Sequence, residues 1–456
     1  MRAFRILLPL AVALLTALAL AAPANAQGGI EVVSVQAESQ FPDGVLFKAQ
    51  ANSPSGIQEI KVLFKTSGGT INSYGYMTLQ GTSPTSGEYL LRLSGNNHVP
   101  PGTLITYSLE IRDNAGALLQ TQEQDFLYMD NRFQWGEVSR DGITVYYYGP
   151  TQSRAEAILD MSLRTREAMT QVLGVTNSPP VRIVAYNNIR HMSAALPFRS
   201  QAVREDLVTE GQAWPDHRVL LVLALSEQVL GITAHEFTHI IVYDATAPSY
   251  GLVPAWLNEG LAEYANPESS ENYDQAIEYA IYTRRLPPIW QLSSFGGSPD
   301  DIVIAYGVSK WVVTYLAQRY GHEKLAELMS HIRRGANIDE ALRRTYGFDQ
   351  YGLDAEWRQA IGLRPLPSPQ PGATGPAPTP EVSPTPTPES TPTATPQPSP
   401  TTEATPIRGA RSGTPAGCNR GTRAAVPLEL AMLGLMLSPA LLWPVRRISW
   451  PGRRPR

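Results

Sequence analysis

Two short strings, His235-Glu236-Phe237-Thr238-His239 and Asn258-Glu259-Gly260-Leu261-Ala262-Glu263-Tyr264, constrain the folding of this chain more than anything else in its 456 residues. Residues four apart on an α-helix share a face, so His235 and His239 turn two imidazoles toward one point while Glu236 sits beside them. The flanks Gly231–Ala234 and Ile240–Tyr243 make that helix strongly apolar. Burying two imidazoles and a carboxylate there is costly without a partner, and a metal ion is the natural one.

A catalytic zinc takes three protein ligands and keeps a fourth position open. A third histidine six residues after the second is ruled out, because that position is Ala245. Glu259 follows His239 with nineteen residues between, and Glu263 lies one helical turn beyond it on the same face. With both strings in place, residues 132–362 resemble the peptidase MA-like family of gluzincin zinc peptidases. That resemblance implies His235, His239 and Glu259 as Zn2+ ligands and Glu236 as general base. It implies Glu263 as the carboxylate that holds the distal ring N–H of a ligand histidine. Asn258 and Gly260 match the family motif without a catalytic role evident from the sequence.

The wider gluzincin class supplies a tyrosine for the oxyanion, usually from a helix downstream of the third ligand. Tyr306, in Ala305-Tyr306-Gly307-Val308-Ser309-Lys310, resembles it, and a packing tyrosine at a helix start is an equal alternative. The implied reaction is hydrolysis of peptide bonds, with Glu236 taking a proton from water and returning it to the leaving amine. The run Arg218–Leu223 reads as a strand and resembles the edge that pairs with an extended substrate, although an interior strand fits it as well. Aminopeptidases of this class grip the free amine with a Gly-x-Met-Glu-Asn loop, which is missing from Ala194–Val229, and this favours an endopeptidase. A surface adhesion or scaffold protein that keeps the fold without cleaving, and a zinc hydrolase of a non-peptide amide, remain open alternatives.

The rest of the chain speaks of place. Arg2 and Arg5, an apolar run from Ile6 to Ala22 and Ala24-Asn25-Ala26 read as a signal peptide over residues 1–26, with a retained anchor as the alternative. Fifteen prolines among residues 364–407, with abundant Thr and Ser, place a disordered stalk at 364–423. Residues 424–445 are apolar apart from Glu429, and arginines fill the basic tail 446–456, which fits a transmembrane segment with a cytoplasmic end. A sorting segment removed on attachment to the surface is the alternative. Both place the peptidase outside the cytoplasmic membrane. The single cysteine, Cys418, excludes an internal disulfide, and a net charge of −4 argues against nucleic acid as a partner. The expected partners are a peptide or protein substrate and the membrane.

Residues 27–130 alternate apolar and polar positions between turn signals, predicting a β-sandwich of immunoglobulin or fibronectin III type with seven strands, including Tyr74–Leu79 and Leu118–Tyr128. Residues 131–363 change to a mixed pattern, predicting an α+β, thermolysin-like domain with strands before the histidine helix and helices after it.

Overall fold

The computed structural model describes residues 29–66, 73–197, 210–268 and 271–367. The expected signal peptide, stalk, apolar segment and basic tail lie outside the described residues apart from the first few stalk positions, 364–367. Among the described residues no helix is long and apolar enough to cross a membrane.

The N-terminal region is all-β. One antiparallel sheet runs β1 (Glu31–Gln40), β2 (Gly44–Asn52), β6 (Thr85–Arg92) and β5 (Thr78–Gln80). The facing sheet runs β4 (Ser73–Tyr76), β3 (Ile57–Thr66), β7 (Thr103–Asp113) and β8 (Leu118–Gln120), with β9 (Gln124–Tyr128) also paired to β7. Their inner faces share one core that includes Val45, Phe47, Ile60, Val62, Leu109 and Ile111. Two expected strands are split. Tyr74–Leu79 crosses between the sheets at the buried Met77, so β4 joins β3 while β5 joins β6. Leu118–Tyr128 breaks at Thr121, whose hydroxyl accepts the Leu109 N–H that a continuous ladder would use.

The following region is built on a five-stranded mixed sheet ordered β10 (Gly136–Arg140), β11 (Ile143–Tyr147), β12 (Val181–Tyr186), β14 (Val219–Leu223) and β13 (Gly211–Trp214). The inner three strands are parallel and both outer strands are antiparallel. Both faces are covered, which is why Val219–Leu223 reads as an unbroken apolar run. Ile183, Leu220 and Val222 face the helices, whereas Val184, Tyr186, Val219 and Leu221 belong to a second core with Trp214 and Met192.

That second core is where the β-sandwich docks. Phe41, Met129, Phe133 and Trp135 pack onto it, and Gly102 at the start of β7 comes so close that an added Cβ would lie 2.8 Å from Val184 Cγ2. The buried Asp130 pins the junction by accepting from Tyr186 Oη at 3.0 Å and from Arg132 Nε at 2.8 Å.

Helices α1 (Gln152–Leu173), α3 (Val229–Thr246), α4 (Ala255–Ala265), α5 (Glu271–Tyr282), α6 (Pro299–Tyr320), α7 (His322–Arg333), α8 (Ile338–Tyr346) and α9 (Gln350–Ala360) form the layer on the other face, and the short α2 (Ile189–Ser193) follows β12. Helix α3 is central and packs on α1, α4, α7, β13 and β14. It is buried along most of its length, and its threonines Thr233, Thr238 and Thr246 satisfy their buried hydroxyls on the carbonyls of Val229, Ala234 and Val242.

Candidate active site

Helix α3 contributes His235, Glu236 and His239, and the spacing of four puts the two imidazoles side by side with ring centroids 5.0 Å apart. Helix α4 crosses it and supplies Glu259, whose Oε2 lies 3.3 Å from His235 Nε2 and 3.6 Å from His239 Nε2. One donor atom from each of His235, His239 and Glu259 falls within 4.8 Å of the other two, and all three residues are buried.

The crossing depends on Gly260. A Cβ there would stand 2.4 Å from the backbone oxygen of Ser309 in α6, a clash that no side-chain rotation relieves. The glycine thereby holds α4 against α6, with Glu259 and Glu263 turned toward α3.

Each histidine is oriented through its other nitrogen. His235 Nδ1 lies 2.8 Å from Glu263 Oε1, and His239 Nδ1 lies 3.0 Å from Asn258 Oδ1. The Asn258 amide is oriented in turn, because its Nδ2 donates to Tyr250 Oη at 3.2 Å. Glu263 also accepts from Asn266 Nδ2 at 3.1 Å and from Tyr273 Oη at 3.2 Å. Oxygen acceptors at both Nδ1 atoms keep the protons there and leave both Nε2 lone pairs aimed at the Glu259 carboxylate. Three lone-pair donors converging on one point repel one another unless a cation lies between them. Two imidazoles and one carboxylate are also the donor set of a catalytic zinc, so the residues fit that ion.

Without a metal ion, a proton on His235 is what the surrounding carboxylates favour. Burial pushes the His235 imidazole down, but Glu263, Glu259 and Glu236 outweigh it and carry the group up to about 10. Burial dominates at His239 and pushes it below its ordinary value. The pocket holds a surplus of negative charge that a divalent cation would balance.

Glu236 is 1 % exposed and lines a small cavity together with Glu210, Gly211, Ile232, His235, Glu263 and Tyr306. Gly211 begins β13, and a Cβ on it would lie 2.8 Å from Glu236 Cγ. The absence of a side chain therefore lets this strand approach Glu236. Of the two readings of Arg218–Leu223, the interior strand holds. Val219–Leu223 is interior, between β12 and β13, and among the described residues β13 is the sheet edge beside the cavity.

Tyr306 sits in the interior of α6, which starts earlier than expected because Ser298 and Asp301 form a capping box ahead of it. Its ring lies 6.2 Å from that of His235, parallel to Tyr273 and edge-on to Phe295. All the residues expected for the site are thus gathered around one point. Asn258 and Gly260 acquire structural roles that the motif match had not explained. Tyr250, Asn266, Tyr273 and Glu210 carry no sequence signal, since each is placed by a loop, a helix or a strand end outside both strings.

No curated protein matches the chain. Among solved structures, one titled "Crystal structure of Br derivative BhCBM56" is similar over 23% of this chain and 97% of that chain, at 12% identity and a TM-score of 0.17. That likeness is too slight to bear on fold or function. The stretch carrying both motifs gives a definite result: residues 165–362 match the model of the peptidase MA superfamily, the family that the two strings resemble.

Proposed function

We propose that the protein is a zinc-dependent endopeptidase. The observation that carries this reading is the convergence of His235 Nε2, His239 Nε2 and Glu259 Oε2 beside a buried Glu236, within a superfamily whose membership suggests a metallopeptidase. When bound, Zn2+ supplies Lewis acidity and lowers the pKa of water toward neutrality. Glu236 accepts the water's proton and delivers it to the leaving amine. Tyr306 lines the same cavity and is assigned to donate its hydroxyl to the developing oxyanion. Glu263 and Asn258 keep the two imidazoles in the ligating tautomer. The antiparallel edge strand β13 is assigned to receive an extended substrate backbone.

In this reading the sheet-and-helix region is a thermolysin-like gluzincin unit, and the N-terminal region is an immunoglobulin or fibronectin III-like module fixed to its sheet. The leader, stalk, apolar segment and arginines support an extracytoplasmic enzyme tethered to the membrane at its C-terminal end. The test is incubation of the zinc-loaded protein and its Glu236→Gln variant with a mixed peptide library, reading new termini by mass spectrometry. Internal cuts made by the unmutated protein alone are expected. Trimming of single N-terminal residues would reject the endopeptidase assignment, and no cleavage with zinc bound would reject the peptidase reading.

A further inference from the structure

Glu210 immediately precedes the edge strand, and its carbonyl accepts the Leu223 N–H at 2.8 Å, which fixes it at the end of β14. Glu210 and its neighbour Gly211, which packs directly on Glu236, line the same cavity as Glu236, Glu263, His235 and Tyr306. The other carboxylates around this point are committed. Glu259 faces both imidazoles, Glu263 serves His235, Asn266 and Tyr273, and Glu236 is the proposed base. Glu210 accepts one hydroxyl, from Ser226 at 3.2 Å, and among the described residues it has no ion-pair partner. An ionised carboxylate offers about four acceptor directions, so one hydroxyl leaves most of its capacity for whatever enters the cleft.

We propose that Glu210 is a specificity residue that receives a cationic group of the substrate, an ammonium or a guanidinium, beside the bond on which Glu236 acts. The proposal rests on the peptidase reading and adds the chemistry of the substrate to it. Glu210 is the carboxylate of this wall that neither serves an imidazole nor is the proposed base, so a positive group is its complement and an acidic one is repelled. The charge has two sources, a free N-terminal amine or a lysine or arginine side chain, and both present the same chemistry to Glu210.

The test separates recognition from turnover. The zinc-loaded full chain bearing Glu236→Gln is titrated by calorimetry with short peptides blocked at both ends that differ at one position: lysine, arginine, norleucine or glutamate. A norleucine peptide with a free N-terminus is the fifth probe. At least one cationic peptide is expected to bind about tenfold or more tighter than blocked norleucine, the scale of a hydrogen bond to a charged group. That ratio is expected to collapse when Glu210→Gln is added, to survive with Glu210→Asp, and to favour the glutamate peptide with Glu210→Lys. A preference for the free amine assigns the terminus, and a preference for lysine or arginine assigns the side chain. Equal binding of charged and neutral peptides, or a ratio that Glu210→Gln leaves unchanged, overturns the proposal. If the unmutated zinc-loaded chain cuts none of these peptides, the peptidase reading fails, while the binding ratio still decides the role of Glu210.

Discussion

Asn258 Oδ1 lies 3.0 Å from Nδ1 of His239, so the residue just before the carboxylate ligand candidate Glu259 orients one of the two histidines that converge with it. The two roles come from one helical turn, which couples ligand orientation to ligand supply. Replacing Asn258 by Ala leaves the Nδ1–H of His239 without its acceptor while sparing all three donors. Zinc affinity, read by competition with a chromogenic chelator, is expected to fall about 10- to 100-fold. Unchanged affinity would reduce Asn258 to a packing residue.

Tyr306→Phe keeps the stacking on Tyr273 and the edge contact with Phe295 but removes the hydroxyl. If that hydroxyl serves the oxyanion, kcat is expected to drop about 10²- to 10³-fold with little change in KM. Steady-state kinetics on a peptide found by the library experiment would show this, and normal turnover would return Tyr306 to packing.

Gly260→Ala places a methyl group against the Ser309 carbonyl, which belongs to helix backbone and cannot rotate away. The crossing of α4 and α6 must widen, at a cost on the order of 1–3 kcal/mol. Thermal melting should show a lower Tm, and chelator competition should show weaker zinc binding, because Glu259 and Glu263 move with α4. A variant with wild-type melting and metal affinity would contradict this account of the crossing.

Removal of the β-sandwich is expected to be damaging although it contributes no residue to the donor cluster. Without it Val184, Tyr186, Trp214, Val219 and Leu221 would form a contiguous apolar face in water. A fragment of residues 131–367 should aggregate or bind a hydrophobic dye strongly, compared with residues 29–367. A soluble, monomeric fragment with native helicity would show the sandwich to be dispensable.

Stability should fall on acidification through His98, which lies at the interface with Trp214 at a ring distance of 5.8 Å. Burial, aided by the charge of His217, pushes its imidazole down to about 4 from 6.5. Between these values the unfolded chain takes up a proton that the native protein refuses, so stability is lost as pH falls from about 6.5 toward 4, by up to ~3 kcal/mol. Denaturant titrations of His98→Gln across that range should lack this component of the slope. An unaltered slope would place the acid sensitivity elsewhere.

Much of the region 131–363 was legible because its signals are local. The helices α4 to α9 follow the histidine helix as the pattern of residues 131–363 predicts, since apolar periodicity and caps act over a few turns. The sheet was less legible. Strands β10 and β13 are too short to leave a clear periodic signal, and the apolar run at Val219–Leu223 fits an edge and an interior strand equally although it is covered on both faces. Periodicity reports that a strand is buried but not which strands flank it. The same limit hid the crossing of Tyr74–Leu79 between two sheets.

The sequence by itself determined that two histidines four apart would share a helix face and that Glu259 and Glu263 would share another, because helical geometry converts spacing into direction. Only the tertiary structure decided that these faces meet, that Asn258 and Glu263 address the outer nitrogens of the two imidazoles, that β13 is the edge beside Glu236, and that Glu210 opens into the same cavity. Those relations join residues brought together by helix crossing and strand order. They depend on shape at points such as Gly260 and Gly211, where a missing side chain permits an approach that no local pattern records.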